Sequence, residues 1–301
     1  MAKAKFDVYQ HVTDEIIAQI EAGTPPWRKP WIGGAGGVQM PARFNGEDYR
    51  GINVLMLWAT AASKGYASER WMTYRQAQEL GAQVRKGEKS ATVVKFGTIE
   101  RETEEGEEKK VPYCRAYRVF NADQIDGLPD TFYTRPEQPR DLGTSADPEL
   151  EAFFARTGAV IHSGPEPQAY YDLRTDHIHM PPIETFLSAR MFYGTLGHEL
   201  CHWTGAEQRL DRFKRFSNRT AYAFEELVAE IGACMLSVRL GVQPTFDQSA
   251  AYVEGWLKAL KEDKRAIFRA ASEAQKAADF IMQSVDRDDA TKAKETGAIA
   301  A

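Results

Sequence analysis

Apolar side chains recur at helical spacing in the first part of the chain and predict three helices there. The first helix ends at Gly23, and its apolar stripe consists of Phe6, Tyr9, Val12, Ile16, Ile17 and Ile20. Residues 52–63 predict a second helix, largely buried. Thr73 and Gln76 have the spacing of a capping box, which predicts a short third helix that closes at Gly81.

Two runs rich in β-branched and aromatic residues predict a pair of strands, at 91–99 and 112–120. Between them lies the acidic tract ERETEEGEE (100–108), which is typical of an exposed hairpin turn. Helices and strands therefore mix in this part of the chain. Residues 1–130 are predicted to form one α+β domain.

Proline and polar residues dominate 131–147, which predicts a linker. Asp147 and Pro148 then favour the start of a helix that ends at Gly158. The pattern beyond predicts strands at 159–163 and 169–180 and helices at 183–202, 221–240 and 248–284, the last region holding one or two.

The second half is thus predicted to be a mainly helical domain with a small sheet, over residues 148–285. The polar tail, 286–301, has the composition of a disordered segment. The fold class that follows is a two-domain α+β protein.

Composition places the chain among soluble globular proteins, with 43% hydrophobic and 27% charged residues. No apolar run has the roughly 18–20 residues of a membrane helix, so no membrane partner is expected. The first residues lack the apolar core of a secretory signal. Three widely spaced cysteines argue against a disulfide framework, and a cytoplasmic location is predicted.

Charge is distributed unevenly along the chain. The formal net charge of −5 weakly disfavours nucleic-acid binding when it is taken for the whole molecule. Residues 1–98 nevertheless carry more Lys and Arg than Asp and Glu, whereas the excess of acid lies in 131–301. The front of the chain is therefore locally basic, which the overall charge conceals.

The segment GHELCHW contains the motif H-E-x-x-H, formed by His198, Glu199 and His202. On a helix the two histidines lie one turn apart, so both imidazoles can bind one Zn²⁺. Glu199 is then placed to take a proton from a water on the metal and to pass it to a leaving group. The uncharged neighbours of these residues indicate a helix that is buried on its other faces.

A catalytic zinc site needs a third protein ligand, and the next predicted helix offers three glutamates. Glu226 is assigned as the third metal ligand, with Glu225 and Glu230 as alternatives. Glu230, one turn away on the same face, is assigned as the acceptor that orients a ligand histidine. The combined pattern resembles the gluzincin metallopeptidases. The competing interpretation is a solvated helix face.

Aromatic and basic residues are interleaved in the basic front of the chain. Exposed aromatic rings that stack on unpaired bases, beside cations that contact phosphates, form a surface for single-stranded nucleic acid. The alternative is that the tryptophans belong to the core, as is expected for Trp58 inside its helix. The candidate DNA-contacting residues are Trp27, Arg28, Lys29, Trp31, Arg50, Trp71, Tyr74, Arg75, Lys86 and Lys89.

Several long segments resemble ArdC-type antirestriction proteins of conjugative plasmids. Those in the first domain are DVYQHVTDEIIAQIEAGTPPWRKPW, YRGINVLMLW, WMTYRQAQELGAQVRKGEK and YRVFNADQIDGLP, and those in the second are GHELCHWTGAEQRLDR and YAFEELVAEIGACML. The resemblance implies a single-stranded-DNA-binding domain followed by a zincin-like metallopeptidase domain, and a role in protecting plasmid DNA from host restriction. The family's metal ligands map onto His198, His202 and Glu226.

Three functions are compatible with these residues. The first is a DNA-binding antirestriction protein whose metal domain is structural or regulatory. The second is an active metalloprotease that uses DNA binding to reach a host restriction protein or another DNA-bound protein. The third, DNA processing by the metal itself, lacks the carboxylate-rich two-metal arrangement of nucleases. Zn²⁺ is the expected metal, and another divalent ion such as Mn²⁺ also suits the ligands.

Overall fold

The computed structural model describes residues 7–27, 39–102, 108–133, 135, 137, 139–215, 219–244 and 250–299. The chain divides into two compact units, Met1–Glu137 and Gln138–Ala301. Both combine helices with small sheets, so the predicted two-domain α+β class is confirmed. Among the described residues, no helix is long and apolar enough to cross a bilayer.

The described residues of the first unit form three α-helices and two small sheets. Strand order is β1-β2-β5-β4 in the larger sheet and β3-β6 in the smaller one. The elements, in chain order, are α1 (Val8–Glu21), β1 (Ala42–Arg43), α2 (Ile52–Lys64), β2 (Arg70–Met72), α3 (Tyr74–Glu79), β3 (Gln83–Val84), β4 (Ala91–Glu102), β5 (Glu108–Asn121) and β6 (Ile125–Asp126).

The β4–β5 hairpin is the main β structure of this unit. Its antiparallel register runs from the pair Ala91–Val119 to the pair Glu102–Glu108, which confirms the two predicted strands. The strands extend into the predicted turn at 100–102 and 108, so that part of the prediction was wrong, and the rest of the turn, 103–107, lies outside the described residues. Asn53 of α2 completes the free edge of β4, because its side chain accepts from the Val94 amide at 2.8 Å and donates to the Val94 carbonyl at 2.9 Å.

Side-chain caps fix where two of the helices begin. Asp7 accepts a hydrogen bond from the Gln10 amide at the start of α1. The capping box predicted for α3 is confirmed: Thr73 accepts from the Gln76 amide at 3.2 Å, and the Gln76 side chain accepts from the Thr73 amide at 2.8 Å. These local bonds position Tyr74 at the first turn of α3.

Replacing Thr73 with alanine should destabilise the protein by about 1 kcal/mol, because the amide at the third helical position loses its acceptor. The change in the free energy of unfolding can be measured by urea denaturation. Thr98→Ala, at an exposed position of β4, is the matched control. That control should stay within about 0.5 kcal/mol of wild type. Equal losses in both variants would show that the cap does not stabilise α3.

The described residues of the second unit form five α-helices and one small three-stranded sheet. In the sheet, β7 pairs with β9 in parallel and β8 pairs with β9 antiparallel, in the order β7-β9-β8. The elements are α4 (Pro148–Arg156), β7 (Val160–Ser163), β8 (Tyr170–Asp172), β9 (His177–Met180), α5 (Ala189–Trp203), α6 (Arg219–Arg239), α7 (Ala250–Glu262) and α8 (Ala266–Ile299).

Three predicted boundaries in this unit were wrong. The single strand at 169–180 is two strands, because the chain reverses through a turn in which Asp176 has φ of 54°. The helix predicted from residue 183 begins at Ala189, where Ser188 caps it, and a separate 3-10 turn precedes it. The tail predicted as disordered continues α8 to Ile299. Its alanine, lysine and glutamate residues are good helix formers.

Helices α5 and α6 approach each other closely in the core of the second unit. A Cβ atom built on Gly232 of α6 would lie 2.8 Å from the Cys201 Sγ of α5, nearer than real atoms come. Leu200 and Cys201 are fully buried in the same cluster as Ala229 and Leu236. The absence of a side chain at position 232 therefore sets the distance between the two helices.

Candidate metal centre

Helix α5 places His198 and His202 on one face, one turn apart. Their ring centroids are 4.8 Å apart and their Nε2 atoms 3.1 Å apart. Both imidazoles thus direct the same nitrogen to a common point, which is the arrangement that the H-E-x-x-H spacing predicts for one metal ion.

Glu226 of α6 brings a carboxylate close to the same point. Its Oε2 lies 3.4 Å from the His198 Nε2, and its Oε1 lies 3.5 Å from the His202 Nε2. In tetrahedral coordination with bonds of 2.0–2.1 Å, donor atoms are separated by about 3.4 Å. His198, His202 and Glu226 form the one group in the described part of the chain with three such donors close together. The donor set therefore fits a divalent metal.

The other nitrogen of each imidazole faces a second carboxylate. Glu230 Oε2 lies 3.7 Å from the Nδ1 of His198, and Glu225 Oε1 lies 3.4 Å from the Nδ1 of His202. A carboxylate at this position fixes the tautomer and orientation of a ligand histidine. The sequence predicts Glu230 as such an acceptor, but it gives Glu225 only as an alternative ligand, not as an orienting group.

A buried arginine holds Glu225 in place. The fully buried Arg212 donates from Nε and Nη2 to the two carboxylate oxygens of Glu225, at 3.1 and 2.8 Å. It also donates to the Cys201 carbonyl at 2.6 Å and to the Thr204 hydroxyl at 2.8 Å, at the end of α5. Arg212 therefore ties α5 to the α6 carboxylate beside His202.

The electrostatic environment of the centre is strongly acidic. Burial lowers the pKa of His198, but hydrogen bonds to Glu226 and Glu230 outweigh this effect and raise the pKa to about 10. Burial likewise lowers the pKa of His202, and hydrogen bonds to Glu225 and Glu226 raise it to about 9. The surrounding carboxylates therefore favour positive charge at the two imidazoles, which protons can supply. A divalent cation can take over this role by displacing them.

Glu199, the predicted catalytic base, lies on α5 between the two histidines. Its side chain is 9% exposed, so it is largely shielded from solvent. The carboxylate is close enough to His198 to contribute to raising the pKa of that histidine. Glu199 is thus a largely buried carboxylate on the same helix as the two histidines, and it is separate from the three donors.

Two of the candidate DNA-contacting tryptophans are core residues, so their assignment was wrong. Trp27 is 0% exposed and Trp71 is 1% exposed. The Trp71 ring packs edge-on against Tyr66, with centroids 6.0 Å apart. A ring enclosed in this way has no face on which a base can stack. Arg28, Lys29 and Trp31 lie outside the described residues.

The remaining candidates of the first unit lie at the surface. Arg50, Arg75, Lys86 and Lys89 are exposed, and Arg75 pairs with Glu79 at 2.9 Å. Tyr74 is 44% exposed.

A cavity of about 570 Å³ is lined by two of these candidates, Tyr74 and Lys86, and by residues outside the candidate set, among them Gln83, Arg85 and Phe120. The Tyr74 and Phe120 rings stand edge to face, with centroids 6.4 Å apart. Gln83 donates to the Tyr74 hydroxyl at 3.0 Å. An aromatic wall, an amide and a cation thus line one concave surface.

Two family models together match most of the chain. The N-terminal domain of anti-restriction factor ArdC matches residues 6–120, and a zincin-like metallopeptidase domain matches residues 148–273. The metal-free crystal structure of the antirestriction ArdC protein from plasmid R388 is 66% identical, with a TM-score of 0.87. That likeness covers 94% of this chain and 99% of the R388 protein. The chain belongs to the ArdC family.

Other relatives of this ArdC-family chain differ in length. The y4eC protein of Sinorhizobium fredii is 41% identical, over 91% of both chains. A DNA primase TraC of Escherichia coli is 39% identical over 94% of this chain, but the match spans only 28% of the primase. A second crystal structure of the R388 ArdC protein contains Mn(II) and is 65% identical, with a TM-score of 0.82 over 93% of this chain and 98% of that one.

Proposed function

We propose that the chain is an antirestriction protein that binds single-stranded DNA without sequence preference and protects incoming plasmid DNA from host restriction. The observation that carries the proposal is its 66% identity, over nearly the whole of both chains, to an antirestriction ArdC structure. Because conjugation delivers DNA as a single strand, a protein on that strand is present where restriction first threatens. The likeness to TraC primases also supports a partner that is DNA.

The concave surface beside α3 supports single-stranded rather than duplex DNA as the ligand. Tyr74 is exposed there, and an exposed aromatic ring can stack on an unpaired base. Lys86 supplies a cation at the rim. Arg85 pairs with Glu88 and Asp126, at 3.0 and 3.3 Å, so it mainly holds the cavity wall.

We propose that His198, His202 and Glu226 hold Zn²⁺, or Mn²⁺ in its place. A bound divalent ion supplies a Lewis acid that lowers the pKa of a water in contact with it. In this arrangement Glu230 and Glu225 orient the two histidines, at 3.7 and 3.4 Å from their Nδ1 atoms. Glu199 is positioned to accept a proton and to return it.

The alternative is a DNA-associated metalloprotease that cleaves a host protein and uses DNA binding only for targeting. The buried position of Glu199 beside both histidines is the observation that favours it. The two functions differ in whether Glu199 is needed, because this residue is the acid–base group and none of the three donors.

Protection should survive the replacement of Glu199 with glutamine, since shielding of the strand by the first unit requires no proton transfer. The measurement is the survival of unmodified plasmid DNA that enters a restricting host by conjugation. Wild type, Glu199→Gln and a strain without the protein are compared. Circular dichroism and metal content must first show that the variant folds and retains its ion.

Two other outcomes of this experiment would contradict the proposal. Loss of protection in a folded, metal-bound Glu199→Gln variant would show that chemistry at the centre is the mechanism, in favour of the metalloprotease. Absence of protection by wild type itself would overturn the antirestriction role.

A further inference from the structure

The β4–β5 hairpin has two faces of different composition. Side chains of alternate residues share a face, and paired residues of the two strands lie on the same one. One face, here called the basic hairpin face, consists in its described outer part of Lys95, Gly97, Tyr113, Arg115 and Tyr117. No Asp or Glu occurs on this face at the described positions 91–99 and 111–119.

Two cations face each other directly on the basic hairpin face. Lys95 and Arg115 are register partners, and both are exposed. Like charges directly opposite each other in a sheet destabilise it. Within the described part of the chain, neither residue forms an ion pair. A bound polyanion would remove this repulsion.

The Arg115 guanidinium is oriented by an aromatic ring. The Tyr113 ring covers its register partner Gly97. A Cβ atom on that glycine would lie only 2.6 Å from the ring, so a larger residue would not fit beneath it. The guanidinium carbon of Arg115 then lies 5.0 Å from the centre of the Tyr113 ring, a cation–π contact. Gly97 thus makes room for the ring, and the ring holds the arginine on the outer surface.

A second aromatic ring on this face is open to solvent. Tyr117 is 41% exposed, while its register partner Val93 is buried at the base of the hairpin. It lies two residues along β5 from Arg115, about 7 Å away. Rings and cations that alternate along a strand are typical of surfaces that bind single-stranded nucleic acid, where bases stack and phosphates meet the cations.

We propose that the basic hairpin face is a contact surface for single-stranded DNA, where Lys95 and Arg115 bind phosphates and Tyr117 stacks on a base. This inference rests on the proposed single-strand binding and locates part of it. Tyr113 acts as a positioning residue for Arg115. Duplex DNA is not the expected ligand, because its bases are already stacked and leave Tyr117 without a partner.

The test is the affinity of the full-length protein for a fluorescent oligothymidylate, measured by anisotropy at several salt concentrations. Lys95→Gln combined with Arg115→Gln should weaken binding about tenfold and reduce the salt dependence, since about 0.7 counterion is released per neutralised phosphate of a single strand. Tyr117→Ala should weaken binding about tenfold with little change in salt dependence.

Lys110→Gln is the matched control, because Lys110 is exposed on the opposite face of the same hairpin. It should change affinity by less than about twofold, as expected for a cation away from the bound phosphates. If Lys110→Gln weakens binding as much as the combined Lys95→Gln, Arg115→Gln variant, the surface acts by unspecific charge attraction and the proposal is overturned.

Two other outcomes separate this proposal from the one on which it rests. If wild type binds the oligonucleotide and all the hairpin variants bind equally well, the basic hairpin face is not the contact surface, while single-strand binding stands. If folded wild type does not bind, single-strand binding itself fails. Tighter binding of a duplex of the same length would overturn the stacking role of Tyr117.

Discussion

Replacing Glu226 with glutamine should weaken divalent-metal binding by at least about 100-fold. Loss of a carboxylate that only orients a ligand histidine typically lowers metal affinity 10–100-fold, and Glu226 is proposed as a metal ligand itself. Its two oxygens lie 3.4 and 3.5 Å from the Nε2 atoms of His198 and His202. Among the described carboxylates, it is the one that forms a three-donor group with both histidines. Glutamine keeps the shape of the side chain but removes the negative charge.

Competition with a metal-sensitive chromophore measures this affinity. Glu184→Gln, at an exposed position before α5, is the control for loss of one carboxylate and should leave affinity unchanged. Glu230→Gln should cost about 10–100-fold, as expected for a carboxylate that only orients His198. If Glu230→Gln has the larger effect, Glu230 rather than Glu226 is the third donor.

Replacing Arg212 with methionine should destabilise the second unit by about 3–5 kcal/mol, the usual cost of removing one partner from a buried ion pair. The side chain is fully buried and makes two hydrogen bonds to Glu225 and two to the end of α5. Methionine fills much of the same volume, so the loss comes from the Glu225 carboxylate, which stays buried with only His202 beside it.

Urea denaturation of the metal-free protein measures this loss, and Arg174→Met is its control. Arg174 is exposed and pairs with Asp172 at 3.3 Å, so that its removal should leave the free energy of unfolding almost unchanged. Arg212→Met combined with Glu225→Met should recover part of the stability, because it removes both charges together. No recovery in the double variant would mean that the contacts with Cys201 and Thr204 carry the effect.

Elements with local signals in the sequence could be predicted well. The apolar stripe of α1 and the capping box of α3 lie within the segments that they define, so no distant contact is needed to recognise them. The turn at Asp176 carries no glycine, and a non-glycine residue at positive φ is uncommon. A continuous strand was therefore the natural but wrong expectation for 169–180.

The candidate metal centre likewise combines residues with a local sequence signal and residues that meet only when the chain folds. His198, Glu199 and His202 lie within one helical turn, and their spacing alone indicates a metal. Arg212 gave no such signal, because it approaches Glu225 only when the chain between α5 and α6 folds back. The burial of Trp27 and Trp71 also depends on tertiary packing. Composition describes an aromatic-rich segment, but it does not distinguish a core ring from a stacking ring.

The close contact at Gly232 gives this position control over a site that it does not touch. Gly232 lies six residues beyond Glu226 on α6, about 9 Å along the helix axis. Metal coordination tolerates errors of only about 0.2 Å in donor positions. Because Cys201 Sγ already fills the space beside Gly232, one added methyl group would push α6 outward and carry Glu226 with it. The lack of a side chain at position 232 thus sets the distance between α5 and α6, and the metal affinity of the candidate centre depends on that distance.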